Sequence, residues 1–183
     1  CPRYCGLQIK NINNNSKLPD FIVQYIERGG INSINPVVDI TNYVLLKLGQ
    51  PLHAYDNKKI EGQIIVRKAR KDEKLLLLNE QIIKFKGDEL IIADKSGPLA
   101  LAGIMGGLES AVTEKTTTVF VESTYFDPVT IRKGSKELGL LTDASRRFER
   151  GADIKAAETA LWRVINLLME LAGGTMVPGI IDE

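Results

Sequence analysis

His53 and Asn42 are the first candidates for chemistry, because both lie within one short stretch, residues 35–56. His53 is the only histidine in the chain, and imidazole ordinarily changes charge near neutral pH. It is predicted to lie in a loop just past a helix over residues 36–48. Asn42 lies on the flank of that helix's apolar stripe, where its amide could face a cavity. A single histidine after a helix is more often a surface or packing residue, and most such asparagines are solvated, so both alternatives stay open.

Glu122 is the next candidate, because it directly follows the apolar residues of a predicted strand. Val119 and Val121 point to one face of that strand and Phe120 to the other, so both faces can be covered. A buried carboxylate costs free energy unless it is paired or faces a polar cavity. The alternative is that the strand has already reached water at this residue, and the sequence favours neither alternative.

Three glycines follow an apolar strand in the segment 97–107, at positions 103, 106 and 107. Glycine allows a ligand to approach the backbone closely and can leave backbone N–H groups free to donate. A tight turn or a bulge is the commoner reason for such glycines. The spacing does not match a phosphate-binding loop, since the final Lys followed by Ser or Thr is absent.

Two basic clusters are candidates for phosphate contacts. One lies in residues 146–150, after the turn or cap formers Thr142, Asp143 and Ser145. The other lies in residues 67–71. Such clusters are more often solvated surface, and neither distinguishes the two interpretations by itself.

Helical patterns stand on both sides of a series of short apolar runs. The periodicity predicts helices over residues 16–28, 36–48, 128–138 and 153–172. Turn-prone residues separate the apolar runs, which is typical of an antiparallel meander or sandwich. The predicted strands are residues 5–12, 64–66, 75–78, 82–85, 90–93, 99–102 and 119–121.

This order of elements predicts an α+β fold built as one domain over residues 1–183. Hydrophobic residues make up 44% of the chain, which suits a well-buried core. A net charge of +1 excludes nucleic-acid binding through global charge. Cys1 and Cys5 lack the further partners of a zinc site and are expected to be reduced thiols. No apolar run is long enough to span a bilayer.

Several strings of residues, taken together and in order, resemble one protein family. They are CPRY, NPVVDITNYVLLKLGQPLHAYD, PLALAGIMGG, VESTYFDP with the following IRK, and TDASRRFERGAD. They resemble the central editing region, the fused third and fourth domains, of the beta subunit of bacterial phenylalanyl-tRNA synthetase, and they cover nearly the whole chain. Ser33 stands where the family commonly has proline, outside the pocket. Because the chain starts at Cys1 without a methionine, we expect a fragment of a larger subunit.

The resemblance implies a three-layer α+β unit in which a β-sandwich of unusual topology is flanked by helices. It implies proofreading, the hydrolysis of tyrosine misattached to the phenylalanine tRNA. The alternative is a non-catalytic tRNA-binding or scaffold module of the beta subunit. The implied partners are phenylalanine tRNA carrying tyrosine and, through the rest of the beta subunit, the alpha subunit, in the cytoplasm and without a membrane. No cofactor or metal is expected here, since ATP and magnesium are expected only for the complete synthetase.

The resemblance also assigns roles to individual residues. His53 and Asn42 are implied to be catalytic, acting near the scissile ester and the attacking water. Glu122 is implied to accept a hydrogen bond from the tyrosine hydroxyl. The remaining implied substrate-binding residues are Thr41, Gly103, Gly106, Thr142 and Ala144.

Overall fold

The computed structural model describes residues 1–183 and contains five α-helices and eleven strands. The helices are α1 Asp20–Arg28, α2 Pro36–Leu48, α3 Pro128–Leu138, α4 Asp143–Arg150 and α5 Ala156–Ala172. The strands are β1 Arg3–Lys10, β2 Leu52–Asp56, β3 Ile65–Lys68, β4 Lys74–Leu76, β5 Ile82–Lys84, β6 Leu90–Ala93, β7 Pro98–Leu101, β8 Met105–Gly106, β9 Val119–Tyr125, β10 Thr175–Met176 and β11 Ile181–Asp182. None of the helices is both long and apolar enough to cross a membrane.

The first sheet is antiparallel and has β9 between β1 and β2. The strands β10 and β11 pair with two successive parts of the other edge of β1. The register places Gly6 of β1 and His53 of β2 on either side of Glu122. Because side chains alternate across a strand, Phe120, Glu122 and Thr124 share one face of the sheet.

A layer of helices, α1, α2 and α5, covers the opposite face of the first sheet. Val119 and Val121 on that face join Leu161 and Leu168 of α5 and Ile40 of α2 in one buried core. Complete burial of each such aliphatic side chain contributes about 1.5 to 3 kcal/mol. Because α2 and α5 bury Val119 and Val121, the alternate residues of β9, including Glu122, must face away from the helices.

Local signals define the ends of α2. The side chain of Asn35 accepts a hydrogen bond from the backbone N–H of Val38 at 3.1 Å, and Pro36 occupies the first turn. Gly49 ends the helix with φ of 72°, a left-handed conformation that glycine adopts without a steric penalty. β2 begins three residues after Gly49, which places His53 four residues beyond this cap residue.

The second sheet, in the order β3-β6-β7-β8, packs on the face of the first sheet that carries Glu122. The hairpin β4–β5 extends this side. Tyr55 and Phe120 from the first sheet join Leu101 of the second in a separate buried core. The helices α3 and α4 close one end of this core, where the ring centroids of Phe126 and Phe148 lie 5.2 Å apart.

The layers of helices, first sheet and second sheet confirm the α+β prediction. The predicted helices 36–48 and 128–138 agree with α2 and α3. The predicted apolar runs coincide with strands β3, β4, β5, β6, β7 and β9, although the boundaries differ by a few residues. The shortest strands, β8, β10 and β11, carry too few residues to produce an alternating pattern.

Two predictions about the strands were wrong. His53 does not lie in a loop, because residues 52–56 form β2 and pair along β9. Glu122 does not stand after its strand but in the middle of β9, where it is 4% exposed. Both errors arise because the pairing of β2 with β9 joins segments that are distant in sequence.

Two predictions about the helices also need correction. The predicted first helix begins only at Asp20, and Phe21 and Tyr25 on its predicted apolar face are 61% and 37% exposed. The last helix begins at Ala156 rather than after Asp153, whose carboxylate instead accepts a hydrogen bond from the backbone N–H of Lys155. The Tyr25 ring lies beneath the Lys47 ammonium at 4.3 Å, a favourable arrangement for an exposed aromatic ring.

Candidate functional site

A cavity of about 70 Å³ lies between the two sheets, next to Glu122. Its walls come from β2, β6, β7, β8 and β9, from the segment between β7 and β8, and from α4. Most of the lining is apolar, and its titratable side chains are His53, Tyr55 and Glu122. The lining residues are Pro51, Leu52, His53, Tyr55, Ile92, Ala100, Leu101, Gly103, Ile104, Met105, Gly106, Glu122, Thr124, Phe126, Ala144 and Phe148.

Glu122 is a buried carboxylate bound by two phenols. Its Oε2 accepts hydrogen bonds from the Tyr55 hydroxyl at 2.8 Å and from the Tyr4 hydroxyl at 3.1 Å. Burial raises the pKa of Glu122 to about 7, and the hydrogen bonds from Tyr55 and Tyr4 act in the opposite direction. Glu122 is therefore a group that can be charged or neutral near neutral pH, inside an otherwise apolar wall.

His53 lies directly opposite Glu122 in the pairing of β2 with β9. Burial lowers the pKa of His53 to about 4, so its imidazole is neutral at neutral pH. The ring stands edge-on to Tyr55, with 4.5 Å between the centroids. Its Nε2 is buried and has no hydrogen-bond partner in the chain. An unpaired buried nitrogen costs about 1 to 3 kcal/mol, so a water or ligand that paired with it would be stabilised.

Gly106 provides the space that the His53 ring occupies. A β-carbon at position 106 would lie 2.4 Å from Cε1 and 2.7 Å from Nε2 of His53. Gly103 has φ of 66°, and a β-carbon there would lie 2.8 Å from both Ile131 and Phe126. Both glycines are therefore required by close packing around the cavity, and Gly103 also by its left-handed backbone.

Thr142 and Ala144 are placed by the start of α4. The Thr142 hydroxyl donates to the carbonyl oxygen of Ile104 at 2.8 Å and accepts from the backbone N–H of Ser145 at 3.0 Å. These two contacts cap the helix and tie it to the segment between β7 and β8. Ala144 lines the cavity directly, whereas Thr142 contacts a lining residue.

Thr41 and Asn42 are the two implied site residues that the structure does not bring to the cavity. Both lie on α2, in the helical layer. The Thr41 hydroxyl donates to the carbonyl oxygen of Val38 within the same helix at 2.8 Å. The cavity thus gathers His53, Glu122, Gly103, Gly106 and Ala144, with Thr142 behind its wall.

Tyr4 and Tyr55 hold Glu122 but were not predicted as site residues. Tyr55 lies two residues after His53, so recognising β2 as a strand would have placed both on one face. Tyr4 lies on β1, and no local pattern relates it to Glu122. Only the pairing of β1 with β9 brings the two residues together.

The basic clusters are partly neutralised by acidic neighbours. Arg147 pairs with Asp143 at 2.9 Å, and Arg67 pairs with Glu73 at 2.7 Å. Arg146 and Arg150 are exposed and form no ion pair within the chain. Arg70 and Lys71 of the other cluster are likewise exposed and unpaired, so both clusters keep cations that are available to an anionic partner.

The opposed pKa shifts of Glu122 and His53 affect stability in opposite directions. Because the pKa of Glu122 is higher in the folded chain than in the unfolded chain, the stability that Glu122 contributes to the protein falls as pH rises from about 4.5 to about 7. Because the pKa of His53 is lower in the folded chain than in the unfolded chain, the stability that His53 contributes to the protein falls as pH falls from about 6.5 to about 4. The two slopes largely cancel in the wild-type chain.

Glu122→Gln should therefore expose the His53 slope. Between pH 4.5 and 7 the free energy of unfolding of the variant should rise relative to wild type by up to about 3 kcal/mol, since one pKa unit is about 1.4 kcal/mol. Urea unfolding at several pH values measures this difference. The exposed carboxylate variant Glu109→Gln serves as the control. Parallel pH curves for Glu122→Gln and wild type would show that Glu122 does not titrate in this range.

A sandwich that encloses a carboxylate and an unpaired imidazole defines an α+β domain with a mostly apolar internal cavity that holds two polar groups. Comparison with known protein families gives the particular family. The B3/4 domain profile matches residues 1–173, and the chain belongs to that family.

Relatives of the chain are subunits of a tRNA ligase. The phenylalanine–tRNA ligase beta subunit of Dechloromonas aromatica is 48% identical over 178 residues, which are 97% of this chain and 22% of the relative. The beta subunit of Legionella pneumophila strain Paris is 49% identical over 180 residues, 98% of this chain and 23% of the relative. The chain thus spans less than a quarter of the length of these relatives.

One solved structure supports the fold. An N-terminal fragment of the phenylalanyl-tRNA synthetase beta subunit from Pyrococcus horikoshii superposes with a TM-score of 0.61 and 15% identity. The superposition covers 98% of this chain and 49% of that fragment. At this identity the likeness concerns the fold alone.

Proposed function

We propose that this chain is the editing domain of a phenylalanyl-tRNA synthetase beta subunit and hydrolyses the ester of tyrosine misattached to the phenylalanine tRNA. The observation that carries the proposal is the buried Glu122 carboxylate facing an apolar cavity opposite His53. The names of the curated relatives support the assignment to the synthetase. In this proposal the partners are the tRNA and, through the rest of the beta subunit, the alpha subunit, in the cytoplasm.

Recognition of tyrosine depends on its hydroxyl. Glu122 accepts a hydrogen bond from the tyrosine hydroxyl, and a glycine N–H of the segment 103–107 donates a hydrogen bond to the oxygen of the same hydroxyl. Phenylalanine would leave that N–H and the second oxygen of Glu122 unpaired. A site built to pair with a hydroxyl rejects the analogue that lacks it by roughly 10⁴ to 10⁵. Such a site would hydrolyse tyrosyl-tRNA and spare phenylalanyl-tRNA.

Hydrolysis proceeds by direct attack of water on the ester carbonyl, which breaks the bond from that carbon to the ribose oxygen; tyrosine leaves as the free acid and the ribose oxygen takes up the proton that the water loses. The cavity lining contains no serine or cysteine that could serve as a nucleophile. The unpaired Nε2 of His53 is suited to hold a water. Because burial lowers the pKa of His53 to about 4, the imidazole is a weak base, and orienting the water is its principal role.

The cavity must widen to admit a phenol ring. Its volume is about 70 Å³, whereas a cavity of about 150 Å³ is known to hold benzene. In this proposal Gly103, Thr142 and Ala144, which the family resemblance implies to be substrate-binding residues, surround the ring of the tyrosine. Thr41 and Asn42 belong to the proposal as groups near the ester, outside the present cavity wall. ATP and magnesium are required only by the aminoacylation site of the complete synthetase.

The rival function is a scaffold or tRNA-binding module with an inactive cavity. The test is the hydrolysis of tyrosyl-tRNA and phenylalanyl-tRNA by the complete heteromeric synthetase that carries this chain. Editing predicts rapid hydrolysis of the first substrate and little of the second. Equal, slow hydrolysis of both would favour the scaffold.

His53→Ala should slow hydrolysis of tyrosyl-tRNA by about a hundredfold, the lower part of the range for a lost acid, base or water-positioning group. Single-turnover rates measure the effect. His53→Gln keeps a polar atom near the cavity, so partial recovery would support orientation of the water over proton transfer. An unchanged rate in the alanine variant would make His53 a packing residue.

A further inference from the structure

Glu122 is held from both sides by tyrosines of the neighbouring strands. Tyr4 faces Thr124 in the register of β1 with β9, and Tyr55 faces Phe120 in the register of β2 with β9. Both tyrosines are thus diagonal neighbours of Glu122 on one face of the sheet, within reach of a long side chain. Their hydroxyls donate to the same oxygen, Oε2, at 3.1 and 2.8 Å.

Gly6 leaves the room that this arrangement needs. It lies on β1 directly opposite Glu122, between Tyr4 and Gln8 on the same face of the strand. A β-carbon at position 6 would lie 2.3 Å from Cζ of Phe120, so a side chain there would displace the ring. Glycine at position 6 thus keeps the Phe120 ring in place, and the side chains of β1 and β2 that donate to the carboxylate are Tyr4 and Tyr55.

The two hydroxyls are committed donors. Burial and the charge of Glu122 both raise the pKa of the Tyr4 and Tyr55 phenols, so both remain protonated at any physiological pH. Because both bonds end on Oε2, neither phenol occupies Oε1. Two donors on one oxygen restrict the rotation of the carboxylate, and the Thr124 side chain of the same strand is a further polar neighbour that favours its charged form.

We propose that Tyr4 and Tyr55 are positioning residues, which fix Oε2 of Glu122 and thereby direct Oε1 toward the hydroxyl of a tyrosyl substrate. This inference rests on the proposed function. It assigns specificity to three residues from three strands rather than to Glu122 alone. The substrate class it selects is a neutral hydroxyl donor, since a ligand carboxylate would meet like charge.

The pH dependence separates positioning from mere packing. The titratable groups that face Glu122 are Tyr4 and Tyr55, which stay protonated, and His53, which stays neutral above about pH 4. Both phenol hydrogen bonds favour the ionised carboxylate, so removing either raises the pKa of Glu122 above its wild-type value of about 7. A variant that lacks one hydroxyl should need a higher pH to reach full selectivity.

The experiment compares Tyr55→Phe and Tyr4→Phe with wild type in the complete synthetase, measuring kcat/KM for hydrolysis of tyrosyl- and phenylalanyl-tRNA between pH 6 and 9. We expect the tyrosine-to-phenylalanine ratio at pH 7 to fall by about tenfold in Tyr55→Phe, the effect of losing one hydrogen bond to a charged group. Tyr4→Phe, whose bond is longer, should show a smaller fall. In both, the pH midpoint of the tyrosyl reaction should move upward while phenylalanyl hydrolysis stays unchanged.

Tyr25→Phe is the matched control, because the Tyr25 hydroxyl makes no hydrogen bond and lies on α1, outside the cavity. Thermal melts report whether each variant folds. If the wild type discriminates between the two substrates, and Tyr55→Phe keeps the same selectivity ratio and the same pH midpoint for tyrosyl-tRNA hydrolysis, the positioning role is overturned while the proposed function stands. An equal loss on both substrates with a lowered Tm would also overturn it, in favour of packing. Absence of discrimination by the wild type would instead refute the proposed function.

Discussion

Replacing Gly106 with tryptophan should reduce hydrolysis of tyrosyl-tRNA to the uncatalysed background while aminoacylation continues at the wild-type rate. A β-carbon at this position already falls 2.4 Å from His53 Cε1, so the indole must displace the imidazole and fill the cavity of about 70 Å³. Blocking entry of the substrate ring and displacing the nitrogen proposed to hold the water act together, and we expect a loss of at least about a thousandfold, more than the roughly hundredfold loss expected for His53→Ala. Single-turnover hydrolysis by the complete synthetase measures it.

Leu108→Trp is the matched control, since it places the same ring on the exposed side of the neighbouring segment. Gly106→Ala tests the steric argument in its smallest form and should give an intermediate loss, because the methyl group alone must push the His53 ring. Melting curves show whether each variant folds. Normal hydrolysis by a folded Gly106→Trp protein would move the substrate pocket elsewhere in the molecule.

Glu122→Ala should destroy selectivity more than rate. The tyrosine hydroxyl would lose its acceptor, at a cost of about 1 to 3 kcal/mol, and phenylalanine would no longer leave the second oxygen of a buried carboxylate without a donor. Selectivity should therefore fall from both sides. An apolar pocket discriminates against an added or missing hydroxyl by only about 10², against about 10⁴ to 10⁵ for a pocket built to pair with it. The expected fall in the selectivity ratio is at least about a hundredfold.

The measurement is the ratio of kcat/KM for tyrosyl- and phenylalanyl-tRNA hydrolysis in variant and wild type. Glu109→Ala, an exposed carboxylate outside the cavity, should leave the ratio unchanged. A Glu122→Ala protein that lost activity equally on both substrates would show that Glu122 serves catalysis or folding rather than recognition.

The helices that frame the site were largely predictable, because their signals are local. Asn35 and Gly49 mark both ends of α2 within the sequence itself, and Asp127 with Gly139 does the same for α3. These caps involve residues three or four positions apart, so a short window of sequence contains the whole interaction. The strand pattern was predictable for the same reason wherever a run of apolar residues was long enough.

The interior of the cavity was less predictable, because it depends on strand pairing. His53 carries no local sign that residues 52–56 form a strand, since β2 exists only through its ladder with β9. The choice between a buried and a solvated Glu122 was likewise open until its neighbours were known. Tyr4 contributes to the site only through a hydrogen bond across the sheet, which no periodicity describes.

The resemblance supplied site residues that the patterns could not rank. It pointed to Glu122, Gly103, Gly106 and Ala144, and the fold brings these together with His53 at one cavity. Its assignment of Thr41 and Asn42 stays a prediction, since both lie on α2, away from the present wall.

The hydrogen bonds that define the Glu122 environment also constrain the order of folding. Tyr55 and Tyr4 lie 67 and 118 residues from Glu122 along the chain, whereas β6 and β7 of the second sheet are joined by a short turn. Closing long loops is entropically costly, so contacts of this kind form slowly and late. Partly folded chains can therefore contain the second sheet yet possess no paired carboxylate. Any capacity to discriminate between amino acids arises only with completion of the native state, and kinetic intermediates should lack it.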